Sequence, residues 1–293
     1  MTKIPPGLDK RVQQLWDMVS PCTLCPRQCK VDRKKGQTGF CGIGELPVVS
    51  SVGPHFGEES VLVGHGGSGT IFFAGCNLGC IFCQNYDISH YRHGREVSIE
   101  QLAQFMIDLQ EQGCININFV TPTHVIPAII AAITLARKQG LAVPIVYNCG
   151  GYDSVDTLRL IEGFIDIYMP DMKYSDPNVA KELSAAPDYP QANFAAVMEM
   201  HRQVGNLQLN RSRLATRGLL VRHLVLPNNL AGSFEIVDFL IEQIGPDTTI
   251  NIMDQYHPCY KASSYPKLNR RPSPEELESV RDYAIQKGLN VLD

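Results

Sequence analysis

Short runs of apolar, often β-branched residues recur along most of the chain, and polar or glycine-containing segments separate them. Strands that are buried on both faces of a sheet have this near-continuous apolar character, whereas half-exposed strands alternate apolar and polar residues. The pattern therefore predicts six buried strands, which cover residues 70–75, 115–120, 144–148, 165–170, 219–227 and 249–254.

Helical segments lie between these predicted strands. Ser98 followed by Gln101 has the form of a capping box, and the helix that it opens ends near Gly113. Two further segments with helical periodicity also run up to a glycine, at Gly140 and Gly245. Alternating strands and helices predict an α/β fold with a parallel sheet, either a partly closed barrel or an open doubly wound sheet. In both architectures, active sites lie at the carboxyl ends of the strands.

The first 60 residues lack this alternation and are rich in glycine and proline. We predict a cysteine-rich metal-binding segment over residues 1–60 and an α/β barrel domain with a C-terminal helix over residues 61–293. The glycine-rich stretch 53–70 has no Gly-Lys-Ser/Thr sequence, so turns are expected there rather than a phosphate loop. Three of its side chains could line the mouth of the barrel: His55, Glu58 and Glu59.

Composition limits the function classes. The chain has 293 residues, of which 44% are hydrophobic, and a formal net charge of −4 without a long basic run. Electrostatic capture of nucleic acid or of an anionic membrane is therefore not expected as the main activity. The N-terminus has no apolar core segment, and no run reaches the roughly 18 apolar residues of a membrane span. We predict a cytoplasmic protein with neither nucleic-acid nor membrane partners.

The chain contains ten cysteines, which in the reducing cytoplasm are better interpreted as metal or redox ligands than as disulfides. Cys114, Cys149 and Cys259 stand alone in the sequence. The other seven fall into two groups, Cys22, Cys25, Cys29 and Cys41, then Cys76, Cys80 and Cys83. Two metal sites are therefore predicted.

The second group lies in G-C-N-L-G-C-I-F-C, directly after the first predicted strand. Three thiolates can bind three irons of a [4Fe–4S] cluster and leave the fourth iron open, as a catalytic metal site requires. A structural zinc site would need four ligands. The predicted ligands of a catalytic cluster are Cys76, Cys80 and Cys83.

The spacing C-x3-C-x2-C, with Phe82 before the last cysteine, resembles the radical S-adenosylmethionine (SAM) superfamily. The resemblance implies a partial (β/α)6 barrel in which a [4Fe–4S] cluster binds SAM and cleaves it to methionine and a 5′-deoxyadenosyl radical. It also implies Phe82 as a cofactor contact and a reducing donor such as flavodoxin or ferredoxin. Motifs over roughly residues 70–260 most resemble the branch of the pyruvate formate-lyase activating enzyme.

The resemblance assigns SAM-binding positions at the ends of the later strands. Asn148 falls at the edge of the ribose and cation sites, and His257 falls near the SAM carboxylate. Met169 and Asp171 match a pattern in which a methionine carbonyl and an aspartate flank a monovalent cation. Two more residues match SAM contacts, Lys173 and Arg222. The alternative for Asp171 and Lys173 is an ordinary ion pair, and for Arg222 a solvent-facing side chain.

The second predicted strand departs from the family pattern. It ends V-T-P-T-H, whereas the family usually has G-G-E there, with a glutamate that holds the SAM amino group. Thr123 takes the place of that glutamate, between Thr121 and His124. A hydroxyl can accept a hydrogen bond from the ammonium more weakly than a carboxylate. His124 could compensate for the missing charge, or it could cap the following helix.

The N-terminal cysteines have the spacing C-x2-C-x3-C-x11-C, which is a closed set of four ligands. Such a set could bind an auxiliary [4Fe–4S] cluster or a zinc ion, and the spacing matches neither common pattern closely. Both alternatives stay open at this point. The predicted ligands are Cys22, Cys25, Cys29 and Cys41.

Together these patterns favour an enzyme that cleaves SAM and abstracts hydrogen from a substrate, such as a glycine of a glycyl-radical enzyme. One alternative is a radical modifier of a peptide or small molecule. Another is a non-catalytic iron–sulfur electron carrier, which would need a saturated cluster rather than an open one.

Overall fold

A computed structural model describes residues 10–292, which form strands and helices in alternation. The strands are β1 Val48–His55, β2 Ser68–Phe73, β3 Arg95–Glu96, β4 Ile117–Val120, β5 Ile145–Cys149, β6 Ile167–Pro170, β7 Gln208–Leu209, β8 Ala215–Leu224, β9 Thr249–Met253 and β10 Asn290–Val291. The helices are α1 Lys10–Asp17, α2 Ser60–Val63, α3 Tyr86–Ser89, α4 Ile99–Glu111, α5 Ile126–Lys138, α6 Val155–Leu160, α7 Pro177–Ser184, α8 Tyr189–Val204, α9 Ser233–Phe239 and α10 Pro274–Lys287.

The sheet is a partial barrel. Its strand order is β10-β9-β8-β6-β5-β4-β2-β1-β3, with β7 paired to β8, and its two edges do not meet. The strands β2, β4, β5, β6, β8 and β9 pair in parallel with one another and correspond to the six predicted ones. The prediction of an α/β fold with an open parallel barrel is confirmed. All six strands point the same way, so their carboxyl ends form one rim.

Local sequence explains how the helices begin and which face they bury. Both halves of the capping box at α4 are present, since Gln101 N–H donates to Ser98 Oγ and Ser98 N–H donates to Gln101 Oε1. Helix α5 is apolar almost all round because it lies between the sheet and α1. Trp16 of α1 and Ile129 of α5 belong to one continuous core with β5.

The N-terminal segment is joined to the barrel on two sides. Strand β1 pairs antiparallel with β2, from Val49 opposite Phe73 to His55 opposite Ser68. Helix α1 packs against α5 and α6. The boundary at residue 60 stays a prediction, because the segment before it adds a strand to the sheet and side chains to the core. In residues 10–292, no helix is both long and apolar enough to cross a membrane.

Candidate catalytic and metal-binding sites

The loop after β2 brings together the three cysteines of the motif, Cys76, Cys80 and Cys83, along one side of a cavity. Ser184 Oγ donates to Cys80 Sγ over 2.9 Å, and Ser89 Oγ lies 3.1 Å from Cys83 Sγ. Burial raises the pKa of the Cys76 and Cys80 thiols, and the neighbouring cysteines raise it further. A bound metal would stabilise the deprotonated thiolates and so offset the cost of removing their protons in this buried position.

The cavity has a volume of about 380 Å³, within the usual size of small-molecule sites. Across from the cysteines it is lined by residues from the carboxyl ends of successive strands, among them Thr121, Asn148, Asp171, Lys173 and Arg222. Phe82 lines it from the cysteine loop. The structure therefore brings six of the predicted cofactor-binding residues and the three predicted cluster cysteines, from segments far apart in sequence, around one space.

A buried ion network forms the polar wall of this cavity. Asp171 accepts from Lys173 Nζ at 2.6 Å and from Arg222 at 2.9–3.0 Å, and Arg222 also donates to Asn148 Oδ1 at 2.7 Å. Burial alone would raise the pKa of Asp171, but the charges of Arg222 and Lys173 lower it below its usual value. The carboxylate is ionised and holds both cations in place.

A second cavity of about 230 Å³ adjoins the first at the open side of the barrel. Glu58 lines both cavities, its side chain is 8% exposed, and it lies 3.9 Å from Arg222 Nη1. Burial raises the pKa of Glu58. Glu59 Oε1 accepts from Asn251 Nδ2 at 3.0 Å, which links the segment after β1 to β9. The structure thus places both glutamates at the barrel mouth.

Four residues that the resemblance assigns to SAM or its cation do not line the larger cavity, as defined by residues 10–292. They are Thr123, His124, Met169 and His257. Thr123 is buried beside Tyr147 and Asp153, behind the sheet. The Met169 side chain packs in the barrel interior, and the assignment of its carbonyl to a cation stays a prediction. His257 Nε2 lies 2.9 Å from Cys259 Sγ.

The four N-terminal cysteines line one small cavity, together with Arg33 and His124. Three of the thiols are buried and Cys29 is half-buried. Burial raises the pKa of Cys25 to about 12. Among residues 10–292, no group of three or more His, Cys, Asp or Glu side chains is arranged to hold a single metal ion. The ligand sets at both cysteine groups therefore stay predictions.

Arg33 places a buried cation at the N-terminal cavity. The residue is 2% exposed, it donates to the Gly44 and His124 carbonyls, and Nη1 lies 3.9 Å from Cys22 Sγ. No carboxylate of the described residues pairs with it. A buried charge without a partner is costly, so deprotonated thiols are the groups that can balance this one.

His124 lies at the N-terminal cavity rather than at the larger one. Its Nε2–H donates to the Ala74 carbonyl at 2.9 Å, because a carbonyl can only accept. Nδ1 therefore carries no proton, and its lone pair has no hydrogen-bond partner in the described part of the chain. Burial lowers the pKa of His124 to about 3, so the ring is neutral. This contact was not predicted from the sequence.

Comparison with known families identifies the chain. A family model for the radical SAM superfamily matches residues 70–224. The chain therefore belongs to the radical SAM superfamily, whose members bind a [4Fe–4S] cluster and SAM. Two uncharacterized proteins of Methanocaldococcus jannaschii are similar over most of their length. One is 31% identical over 98% of this chain and 81% of its own, and the other is 25% identical over 94% and 81%.

Solved structures show the same fold. A radical SAM methyltransferase from Sphaerobacter thermophilus superimposes with a TM-score of 0.51 and 16% identity, over 76% of this chain and 65% of that one. Streptococcus suis SuiB bound to precursor peptide SuiA superimposes with a TM-score of 0.50 and 14% identity, over 74% and 46%. The chain thus spans less than two thirds of either structure, and the likeness concerns the fold alone.

Proposed function

We propose that this protein is a cytoplasmic enzyme that cleaves SAM reductively and uses the resulting 5′-deoxyadenosyl radical to abstract hydrogen from a substrate. A [4Fe–4S] cluster with one iron free of protein ligands binds SAM and supplies the electron for this cleavage. The observation that carries the proposal is the cavity of about 380 Å³, with three thiols on one side and a buried ion network on the other. Cys76, Cys80 and Cys83 are its cluster ligands.

The ion network orients SAM. Arg222 and Lys173 present cationic donors to a carboxylate, while Asn148 and Thr121 offer neutral donors and acceptors. Asp171 keeps both cations in fixed positions, so little ordering is needed when SAM binds. Thr121, rather than Thr123, is the hydroxyl of the second strand end that reaches this space.

The test is reconstitution of the protein with iron and sulfide under anaerobic conditions. We expect the reduced protein to give an electron paramagnetic resonance (EPR) signal that changes when SAM is added, and to form 5′-deoxyadenosine. An electron carrier with a saturated cluster would show neither result. A signal that is indifferent to SAM, with no 5′-deoxyadenosine, would overturn the proposal.

The substrate proposed here is a glycine of a glycyl-radical enzyme, on the resemblance to the pyruvate formate-lyase activating enzyme. The second candidate is a peptide, since the structural neighbour SuiB binds a precursor peptide. Deuterium transfer distinguishes the two candidate substrates: the protein is incubated with a deuterium-labelled partner protein or a labelled peptide, and deuterium in 5′-deoxyadenosine is measured. The label identifies the molecule that loses hydrogen.

The four N-terminal cysteines form a second metal centre in this proposal, either a [4Fe–4S] cluster or a zinc ion. They meet at one cavity from positions up to 19 residues apart, from Cys22 to Cys41. Arg33 is buried and has no carboxylate partner in the described part of the chain, which favours an anionic thiolate centre there. Bound metal would supply folding free energy to a segment that has little regular structure of its own.

Cys25→Ser is expected to remove metal from the N-terminal centre while the cluster at Cys76, Cys80 and Cys83 stays assembled. Cys25 is buried and lines the N-terminal cavity only. The measurement is the iron and zinc content per chain. About eight irons in the unmodified protein indicate two clusters, and about four irons with one zinc indicate a zinc site. About four irons without zinc would contradict a second centre.

A further inference from the structure

The second cavity, of about 230 Å³, opens directly onto the larger one. The two cavities have five lining residues in common, which are Gly57, Glu58, Arg222, Met253 and Gln255. The volume of the second cavity far exceeds the roughly 30 Å³ that one water molecule occupies in the liquid, so it has room for several non-hydrogen atoms. A molecule that lies in it can therefore reach the space between the three cysteines and the ion network.

Two carboxylates of this cavity lack hydrogen-bond donors. Glu59 Oε1 accepts from Asn251, but Glu59 Oε2 is buried and has no hydrogen-bond partner in the described part of the chain. The Glu58 side chain is 8% exposed, and its ion-pair contact, Arg222 Nη1, lies at 3.9 Å, beyond hydrogen-bonding distance. Buried carboxylates normally accept hydrogen bonds, so this wall is incomplete without further donors.

The cations nearby are already engaged. Lys173 and Arg222 both pair with Asp171, and Arg222 also donates to Asn148. Burial raises the pKa of Glu58 although Arg222 lies near it, so the attraction of Arg222 does not offset the cost of burial. A ligand that carries a positive charge and N–H donors would satisfy both glutamates, whereas an anion would be repelled by them.

We propose that the second cavity is the substrate pocket, and that Glu58 and Glu59 bind an ammonium group of the substrate there. This inference rests on the proposed function and narrows its substrate class to molecules with a primary amine. For a peptide or protein substrate, the amine is the side chain of a lysine close to the residue that loses hydrogen. Glu58 and Glu59 thus determine specificity, while the chemistry takes place in the larger cavity.

Binding is tested by calorimetric titration of pentylamine into the reconstituted, oxidised protein, with and without SAM. The uncharged probe of the same chain length is 1-pentanol. We expect pentylamine to bind about tenfold or more tightly than 1-pentanol, because only the ammonium makes charge-assisted hydrogen bonds. SAM should leave the pentylamine affinity unchanged, since the larger cavity is where SAM binds.

The double variant Glu58→Gln/Glu59→Gln keeps the shape of the cavity and removes both charges. Its pentylamine affinity should fall by about tenfold or more, and its 1-pentanol affinity should not change. The matched control is Glu278→Gln on the exposed side of α10, which should bind pentylamine like the unmodified protein. Equal affinities for the two probes, or an unchanged pentylamine affinity in the double variant, would overturn the inference.

Stability measurements distinguish a binding role of Glu58 from a structural one. Because burial disfavours the Glu58 carboxylate, Glu58→Gln should unfold at the same denaturant concentration as the unmodified protein or at a higher one. A clearly lower unfolding midpoint would assign Glu58 to the buried ion network and overturn its role in binding substrate.

The remaining outcomes separate this inference from the proposed function. Loss of pentylamine binding when SAM is added would show that the two glutamates hold SAM itself, which would overturn the substrate pocket but not SAM cleavage. An EPR signal that is indifferent to SAM, with no 5′-deoxyadenosine, would instead overturn the proposed function, whatever the affinity for pentylamine.

Discussion

Cys80→Ala abolishes SAM cleavage in the reconstituted protein, with 5′-deoxyadenosine formation lowered by at least about 100-fold. Cys80 lies in the middle of the catalytic loop, and its Sγ faces the cavity while accepting a hydrogen bond from Ser184. Removal of partners that only orient metal ligands typically costs 10–100-fold, so loss of a ligand should cost more. The measurement is 5′-deoxyadenosine per chain, with iron content determined on the same sample.

The matched control is Cys114→Ala, which removes another buried thiol of the barrel. Cys114 packs in the core before β4, and it lines neither cysteine cavity. It should retain its iron and most of its activity, at a small cost in stability for a lost core sulfur. Equal activity in the Cys80 and Cys114 variants would show that the three-cysteine ligand set is wrong.

Asp171→Ala destabilises the fold by about 3–5 kcal/mol, because Lys173 and Arg222 would be left as buried charges without their shared partner. The side chains of all three are at most 17% exposed. The control is Asp238→Ala, which breaks an exposed pair with Lys287 and should cost about 1 kcal/mol or less. Denaturant unfolding under anaerobic conditions measures both. Similar losses in the two variants would contradict the role of the buried network.

The same network gives a pH dependence with a definite sign. The folded state lowers the pKa of Asp171, so its stabilisation is fully present above the usual aspartate value of about 4. It is lost as pH falls through the lowered pKa. The stability difference between the unmodified protein and Asp171→Asn should therefore be constant near neutral pH and shrink below about pH 4. A difference that persists unchanged in acid would point to packing rather than charge.

The barrel strands could be predicted because strands that are buried on both faces have a recognisable local composition. Each of the six parallel strands is an apolar run between polar turns, and five of the six begin and end within about three residues of the predicted bounds. Strand β1 was not predicted. Its sequence V-V-S-S-V-G-P-H lies at the outer part of the sheet, half of its side chains are exposed, and it contains Gly53 and Pro54. Pairing with β2 determines this strand, and no local pattern indicates it.

The cysteine loop and the strand-end positions of Asp171, Lys173 and Arg222 also followed from the sequence, but the ion network that joins them did not, because only an Asp171–Lys173 pair was considered, as the alternative to SAM contacts. Thr123 and His124 lie outside the cavity to which the resemblance assigns them. After β4 the chain turns at Thr121, which adopts a φ of 61°. This left-handed conformation is rare for a residue other than glycine. The 3₁₀ turn Thr123–Val125 follows, and neither side chain reaches the cavity: Thr123 lies beside Tyr147, and His124 lines the N-terminal cavity. A comparison of sequence motifs matches residues by their order along the chain, and it does not reveal a change of backbone direction such as the one at Thr121.

Strand β1 also has a protective consequence. An uncovered strand edge offers unpaired amide and carbonyl groups to any other chain, and a barrel strand such as β2 adds apolar side chains, including Phe73. β1 covers that edge, and residues 10–47 that precede it carry the four N-terminal cysteines. If bound metal holds this segment together, metal loss and exposure of an aggregation-prone edge become one event. The cysteine segment would then protect the protein from aggregation in addition to binding metal.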